Sequence, residues 1–363
     1  VCSSDLVALI TGSCGLVGSE SALFFSKKGF EIVGIDNNSR KFFFGKDGDI
    51  LQVKKKLKKK IKKYFQKNKK IKNYNALKKI FIKYKKKIKI IIHCAAQPSH
   101  DWAKNKPFID FDINARGTLN ILELTKLYSY DAPFIFVSTN KTYGDNPNKL
   151  PLIEKKTRWE IRKDHNFFNG IDETMSVDNC THSFFGASKT YADLVVQEYG
   201  KNIGLKTACF RAGCITGPNH AGAELHGFLS YLVKTSLRFK KYNLIGYKGK
   251  QVRDNIHSYD LATCFWEYFK KPKKGTVYNT GGGRFSNCSI IEALNLVEET
   301  TKIKIKKNII KQSRIGDHIW YISNMKKFKK DYPNWKQKYS TKNIIQNLID
   351  KLSFLMRIYK VQL

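Results

Sequence analysis

The sequence predicts an α/β protein with a doubly wound parallel sheet and a second, smaller C-terminal α/β region. Apolar runs at 7–10, 31–35, 88–94 and 133–137 have the length of buried strands, and helical patterns lie between them. Strands that alternate with helices favour a parallel sheet covered on both faces. A chain of 363 residues is long enough for both regions.

A glycine-rich turn follows the first apolar run. Gly12, Gly15 and Gly18 come after Ile10, and an apolar-periodic stretch then continues to Gly29. Such glycines allow the turn itself, a close approach of the backbone to a pyrophosphate, and tight packing of a helix on the strand. The helix N-terminus offers N–H groups to the phosphates. The order strand, turn, helix therefore predicts a Rossmann dinucleotide site.

An acidic residue ends the second apolar run. Asp36 directly follows this run and lies 18 residues after Gly18. A carboxylate at this position accepts hydrogen bonds from an adenosine ribose and repels a 2′-phosphate. The sequence therefore predicts NAD as the cofactor, while the nearby Arg40 leaves NADP open as an alternative.

The positive charge is concentrated in one segment. Of a formal net charge of +37, residues 51–90 contribute 19 Lys and no Asp or Glu. Within this segment Val53, Leu57 and Ile61 are spaced four apart, which predicts a lysine-coated helix with one apolar stripe. We interpret it as a solvated outer helix and expect no nucleic-acid partner, because arginine forks and regularly placed aromatics are missing. An anionic surface or RNA is the alternative.

The remaining composition is typical of a globular protein without a metal site. Eight cysteines are scattered without a C-x-x-C motif or a His/Cys cluster at zinc spacing, so we expect reduced thiols, a cytoplasmic location and no metal. No apolar run approaches the roughly 18 residues that a membrane span needs, so no membrane partner is expected. The opening VCSSDL lacks a signal-peptide pattern, and we assign it no fold role.

Eight segments, in order along the chain, resemble the extended short-chain dehydrogenase/reductase family of nucleotide-sugar epimerases and dehydratases. They are TGSCGLVG, HCAAQ, NARGTLNILE, VSTNKTYGD, SFFGASK, KQVRDNIHSYD, YNTGGG and SRIGDH. The resemblance covers nearly the whole chain. It implies an enzyme that holds NAD, transiently oxidises a sugar carbon and returns the hydride to the other face. STNKTYGD, NGIDET and GYKGKQVRD are most similar to members that act at C2 of a CDP-linked sugar.

The resemblance also implies a division of the chain. The NAD-binding Rossmann domain would cover 7–210, with a strand returning near 250–280. The sugar-nucleotide-binding region would cover 211–249 and 281–355.

Particular residues match the motifs of the family. The resemblance implies that Thr139 is the catalytic hydroxyl, that Ala95 borders the cofactor, and that Lys189 bonds the nicotinamide ribose. The catalytic tyrosine position of the family is Phe185 in this sequence, which leaves the acid–base group open, with His182 as one alternative. Phe185 and Lys189 are four positions apart, so on a helix we expect the lysine ammonium to lie over that ring.

Two arginines match the residues that clamp the diphosphate of the substrate in this family. They are Arg253 in KQVRD and Arg314 in SRIGDH, and a planar guanidinium suits that task. Near the first of them, Asp254, His257 and Asp260 are expected to order a loop. The resemblance implies a nucleotide-sugar substrate and a homodimer formed through a helix bundle, which the lysine-coated helix would crowd with like charge.

The sequence leaves the reaction type open. A 4-epimerase and a 4,6-dehydratase are alternatives, although Asn140 and Lys141 stand where a dehydratase has an Asp-Glu pair. Phe185 also leaves room for a catalytically silent protein that binds NAD or a sugar nucleotide. The nucleotide base and the sugar are not fixed by the sequence.

Overall fold

The computed structural model describes residues 6–220, 222, 227–313 and 316–359. It comprises two compact units. The first consists of the chain up to Thr142 together with His182–Arg211 and Leu261–Tyr278. The second consists of Tyr143–Thr181, Ala212–Asp260 and the chain from Asn279 onward.

Strands and helices follow one another along the described part of the chain. The strands are β1 (Val7–Thr11), β2 (Glu31–Ile35), β3 (Tyr64–Lys67), β4 (Ile88–His93), β5 (Phe134–Thr139), β6 (Leu152–Glu154), β7 (Trp159–Ile161), β8 (Thr207–Ala212), β9 (Cys214–Thr216), β10 (Tyr242–Ile245), β11 (Val252–His257), β12 (Thr276–Thr280), β13 (Asn287–Ser289), β14 (Lys307–Ile310) and β15 (Trp320–Tyr321). The helices are α1 (Leu16–Lys27), α2 (Ser39–Phe44), α3 (Leu51–Lys60), α4 (Tyr74–Tyr84), α5 (His100–Asn105), α6 (Pro107–Phe111), α7 (Gly117–Tyr128), α8 (Phe184–Lys201), α9 (Phe228–Leu237), α10 (Ser258–Lys270), α11 (Ile290–Thr301), α12 (Lys326–Asp331) and α13 (Thr341–Tyr359).

A seven-stranded sheet organises the first unit, in the order β12-β8-β5-β4-β1-β2-β3. β1 pairs in parallel with β2 and β4, β2 pairs in parallel with β3, and β4 pairs in parallel with β5. The predicted doubly wound α/β fold is confirmed, and the four apolar runs named above fall on β1, β2, β4 and β5. The edge strand β3 escaped the sequence analysis because its side chains are partly exposed, so it lacks an apolar run.

Helices cover both faces of this sheet. α4 packs on α7 and α7 packs on α8, whereas α1 packs on α3. Right-handed crossovers place α1 and α3 on one face and α4, α7 and α8 on the other, because the strand order reverses direction after β3. The apolar core under α4, α7 and α8 includes Leu9, Ile91, Phe134, Leu77 and Val196, all of them fully buried.

The lysine-coated segment forms the predicted helix, α3. Leu57 is fully buried and Ile61, which caps the helix at its C-terminus, is also buried. Val53 is half-buried, and Lys55 is among the exposed lysines on the other side of the helix. The predicted apolar stripe is therefore the surface that fixes α3 to the first unit.

In the second unit, the described residues form three small sheets. In one of them β11 pairs antiparallel with β13 and parallel with β15 and β9. β10 and β14 form a parallel pair, and β6 and β7 form an antiparallel pair. A core of its own lies between α9, α11 and α13, with Leu232, Ala293 and Ile344 fully buried. β11 is the element that carries Arg253.

None of the helices in the described part of the chain is both long enough and apolar enough to span a membrane.

Candidate active site

The glycine turn joins β1 to α1 with very little space around two of its glycines. Gly12 has a positive φ of 64°, and a Cβ atom there would lie 2.9 Å from the backbone nitrogen of Ala95. A Cβ atom on Gly18 would lie 2.1 Å from the carbonyl oxygen of Gly12. Gly15 caps α1, and a Cβ atom on it would have only the carbonyl oxygen of Gly12 within 4 Å, at 3.3 Å. The fold therefore requires Gly12 and Gly18, whereas Gly15 leaves the N-terminus of α1 open to a ligand.

Asp36 lies directly beside this turn. Its carboxylate accepts a hydrogen bond from the backbone N–H of Cys14 at 3.0 Å and another from the N–H of Asn38 at 2.9 Å. Burial raises the pKa of Asp36 above its usual range. A carboxylate has about four acceptor positions, so acceptor capacity remains for a ribose hydroxyl.

Arg40, the residue that left NADP open, is itself engaged. Its guanidinium lies 4.9 Å from the centre of the Phe44 ring, within the range of a cation–π contact. Burial lowers the pKa of Arg40 to about 10. The guanidinium of Arg40 is therefore held against an aromatic ring of α2.

Ala95 follows β4 and completes the surroundings of the turn. Its backbone N–H donates to Oγ1 of Thr11 at 3.1 Å, which holds the chain after β4 against the end of β1. The imidazole of His93 lies buried behind it, between Thr11 and Thr118, at 2.6 and 3.0 Å. Burial lowers the pKa of His93 to about 3, so this imidazole is a neutral structural group.

Lys189 lies on α8 and is 4% exposed. Its Nζ donates to the carbonyl oxygen of Val137 at 2.8 Å and lies 4.0 Å from the centre of the Phe136 ring. The expectation that the ammonium lies over Phe185 is thus wrong, because a buried ammonium needs an acceptor and the side chain extends to β5 to reach one. Burial lowers the pKa of Lys189 to about 8.

Phe185 is buried, and its neighbour is a histidine that the sequence analysis missed. The rings of Phe185 and His100 meet edge to face, with centroids 4.9 Å apart. Nδ1 of His100 lies 2.7 Å from Oγ of Ser183, the residue that caps α8 by accepting the N–H of Gly186. The signal that points to His100 is its position, a few residues beyond the carboxyl end of a parallel strand, where ligands bind in such sheets.

Thr139 is the last residue of β5. Its Oγ1 accepts the backbone N–H of Lys141 at 3.2 Å and lies 3.4 Å from Oδ1 of Asn140. His182 is half-buried, with Nδ1 3.3 Å from the carbonyl oxygen of Lys141. β5 and α8 pack together, so the structure brings Thr139, Phe185 and Lys189 to one region of the first unit.

A buried polar network supports the first half of α8, and the sequence analysis did not predict it. Oδ1 of Asp110 accepts from the side-chain amides of Gln97 and Asn114 at 2.9 and 3.0 Å. The amide of Asn114 also reaches Oγ of Ser188 at 3.1 Å, next to Lys189 in the chain. Burial raises the pKa of Asp110 to about 6. These bonds fix the axial position and the rotation of α8 at Ser188, next to Lys189.

Arg253 lies in the second unit and is largely buried. Its guanidinium donates to the carbonyl oxygen of Val252 at 2.8 Å and forms an ion pair with Asp317. These two bonds use only part of the five N–H donors of a guanidinium. Arg314, the other predicted clamp residue, lies outside the described residues.

The acidic residues that follow Arg253 bind backbone groups. Asp254 accepts the N–H groups of Ser323 at 2.9 Å and Gly283 at 3.3 Å. Asp260 accepts two further N–H groups, including that of Tyr339 at 2.9 Å. His257 stacks on the ring of Tyr339 with centroids 4.1 Å apart. These contacts agree with a structural task for Asp254, His257 and Asp260.

The chain matches the sequence profile described as "NAD dependent epimerase/dehydratase family" over residues 8–281. The chain belongs to this family. CDP-paratose 2-epimerase from Salmonella typhi is 28% identical over 354 residues, which covers 94% of this chain and 98% of the relative. Human UDP-glucose 4-epimerase is 25% identical over 319 residues, which covers 85% of this chain and 86% of the relative.

Solved structures show the same fold. UDP-glucose 4-epimerase from Thermotoga maritima, determined with UDP-glucose, superposes with a TM-score of 0.77 at 20% identity and covers 97% of this chain and 100% of that one. UDP-glucuronic acid 4-epimerase from Bacillus cereus, in complex with UDP-glucuronic acid and NAD, superposes with a TM-score of 0.76 at 20% identity and covers 96% and 100%.

NAD is the cofactor of this epimerase/dehydratase family, and the residues of the first unit fit it. The turn leaves space at Gly15, where a pyrophosphate can approach the N–H groups of α1. The carboxylate of Asp36 is adjacent and retains acceptor capacity for a ribose. Among the described residues, no group of three or more His, Cys, Asp or Glu side chains is arranged to hold a metal ion.

Proposed function

We propose that this epimerase/dehydratase family member inverts C2 of a CDP-linked sugar, as a CDP-paratose 2-epimerase would. The observation that carries the proposal is the buried ammonium of Lys189, held by Val137 of β5, two residues before Thr139. The similarity to CDP-paratose 2-epimerase over 98% of that relative supports the choice of reaction.

In the proposed reaction each residue has a separate task. NAD, when bound, would supply the hydride acceptor for the sugar carbon and the hydride donor for the return step. The Gly12–Gly18 turn and Asp36 hold the dinucleotide, and Ala95 borders it. Lys189 donates to the nicotinamide ribose. The Oγ1 of Thr139 holds the sugar hydroxyl, because its present bonds, at 3.2 and 3.4 Å, are long enough to yield to a ligand.

Recognition of the diphosphate is assigned to the second unit. We propose that Arg253 and Arg314 clamp the two phosphates of the substrate. For Arg253 the ion pair with Asp317 fixes one side of the guanidinium, which leaves the other donors of the fork in a set orientation.

Specific residues distinguish two other candidate functions from this one. A 4,6-dehydratase needs an acid–base pair where Asn140 and Lys141 stand, so we place it behind epimerisation. A silent binding protein is favoured by Phe185, which has no hydroxyl to move a proton.

The experiment is a reaction with CDP-, UDP- and GDP-linked sugars in D₂O, with products identified by NMR. Oxidation and return move the sugar hydrogen as a hydride, so the inverted carbon of the product keeps its original hydrogen. Deuterium at that carbon would show inversion by proton abstraction and contradict the proposed chemistry. Absence of any product would favour the binding protein.

We also propose a homodimer. Phe184, Tyr191 and Leu194 form an apolar stripe on α8, exposed by 57%, 41% and 46%. On α6, Phe108 is 87% exposed, and the Phe111 ring lies 6.0 Å from that of Tyr191. Contiguous exposed aromatic side chains are typical of protein interfaces. Tyr191→Glu should convert a dimer to a monomer in sedimentation velocity.

The lysines of α3 would not crowd a dimer that forms through this stripe of α8. α3 packs with α1, on the opposite face of the sheet from α8. A cytoplasmic location remains our proposal, which agrees with the seven described cysteines forming no disulfide with one another.

A further inference from the structure

The proposed function leaves open which group moves the proton. Transient oxidation removes a hydride from carbon and a proton from the attached hydroxyl. In the family, the position of Phe185 holds a tyrosine whose phenol takes this proton. A phenyl ring cannot, so another group within reach of the same position is required.

His100 is the imidazole that contacts this position. Its ring meets the edge of the Phe185 ring, with centroids 4.9 Å apart, and both residues belong to the first unit. His182, the alternative suggested by the sequence, contacts the carbonyl oxygen of Lys141 at 3.3 Å instead. Of the two histidines, His100 is therefore the one whose ring contacts Phe185, at the position where the family has a tyrosine.

The orientation of the His100 ring is fixed by α8 itself. Nδ1 lies 2.7 Å from Oγ of Ser183, and this oxygen also accepts the N–H of Gly186 at 3.1 Å. A hydroxyl oxygen has two acceptor lone pairs, so it can accept both N–H groups together. With the hydrogen on Nδ1, the lone pair of a neutral imidazole lies on Nε2, where it can take a proton.

We propose that His100 is the proton-transfer group of this protein, acting through Nε2 in place of the missing phenol; the inference rests on the proposed epimerase function. In the forward step the C–H bond breaks and its electron pair leaves as a hydride, which bound NAD would accept. The O–H bond of the hydroxyl on that carbon also breaks, Nε2 takes the proton, and the carbon–oxygen bond becomes a carbonyl. On return, hydride addition to the carbonyl carbon and proton donation from the imidazolium restore the alcohol.

The test compares His100→Gln with His182→Gln as a matched control, since both wild-type imidazoles are half-buried. We expect His100→Gln to lower turnover by about 10²-fold or more, the usual effect of losing an acid–base group, and His182→Gln to stay within about threefold. Adding Phe185→Tyr to His100→Gln should restore activity at least about tenfold, because a phenol again stands at that position. A merely structural His100 would not be rescued in this way.

A second readout does not depend on turnover. In the NAD-loaded protein with ¹⁵N-labelled histidine, the ring signals of His100, assigned by their loss in His100→Gln, should shift when CDP-sugar is added. Those of His182 should stay in place. Circular dichroism and NAD content establish that the variants are folded.

The outcomes for His100 and for the epimerase function differ. Turnover in the wild type together with full activity of His100→Gln, or with unmoved His100 signals, overturns the inference and leaves the epimerase function standing. A wild type that turns over no sugar nucleotide overturns the proposed function, and the assignment of His100 with it.

Discussion

The Nζ of Lys189 donates to the carbonyl oxygen of Val137 at 2.8 Å, which ties α8 to β5 through a buried charge. Burial without a carboxylate at hydrogen-bond distance lowers the pKa of this lysine to about 8. The ammonium is therefore held in place by the protein, although its charge is costly there.

Lys189 should make stability depend on pH in the alkaline range. Its folded pKa of about 8 is below the usual value near 10.4, so between these values the unfolded chain binds more protons and stability rises with pH. The full effect is about 3 kcal/mol. Urea unfolding of nucleotide-free wild type and Lys189→Met between pH 7 and 10.5 measures it. A stability difference that stays constant over this range would contradict the assigned pKa. Lys189→Met should also lose NAD.

Two glycines of the turn should respond differently to alanine. Gly18→Ala places a Cβ atom 2.1 Å from the backbone of Gly12, so we expect a loss of several kcal/mol and a much lower Tm. Gly15→Ala meets only one oxygen at 3.3 Å, so the fold should survive while NAD binding weakens. Thermal unfolding and NAD titration distinguish the two effects. Equal affinity in Gly15→Ala and wild type would show that no phosphate approaches this glycine.

Asp36 should determine the choice of dinucleotide. We expect NAD or NADH to be released when the protein is denatured, and weaker NAD binding in Asp36→Ala, because the ribose loses its acceptor. Arg40→Ala is the control and should leave NAD affinity nearly unchanged, since that guanidinium lies against Phe44. Mass spectrometry of the released nucleotide provides the decisive measurement. NADP(H) as the main species would shift the assignment from Asp36 to Arg40.

Arg253 should act on the substrate and not on the cofactor. Loss of a charge-assisted bond to phosphate costs roughly 1.5–3 kcal/mol, so Arg253→Ala should raise the KM for the sugar nucleotide by about tenfold to hundredfold. Arg314→Ala should do the same. NAD affinity, measured by calorimetry, should not change. Asp317→Asn tests the ion pair, and a KM unaffected by either arginine variant would remove both from the site.

The lysines of α3 should be dispensable for catalysis. Replacing the exposed Lys55, Lys58, Lys59 and Lys60 by Glu should leave turnover within about twofold and weaken any RNA binding in a salt-dependent way. Lys54 is left unchanged because its charge lowers the pKa of Asp36 and a change there would disturb the ribose site. A large loss of sugar turnover in the folded variant would contradict the interpretation of α3 as a solvated helix.

The sheet and the position of the dinucleotide turn could be predicted from the order of residues alone. Apolar runs of strand length, separated by helical patterns, leave few arrangements other than a parallel sheet. The requirement for glycine at positions 12 and 18 could be predicted in the same way, because the turn and the helix packing depend on neighbours close in the chain. The ribose-binding role of Asp36 is predicted from its position directly after β2. In each case the physical constraint is local.

Which distant residues meet was decided by the packing of the whole chain. No spacing rule connects His100 with Phe185, Gln97 with Asp110, or Asn114 with Ser188, because these contacts depend on how segments distant in the chain pack on one another. The same holds for Lys189, whose ammonium reaches an acceptor on β5 instead of the ring one turn away. A buried charge takes the acceptor that the folded chain provides, and periodicity along one helix cannot reveal it.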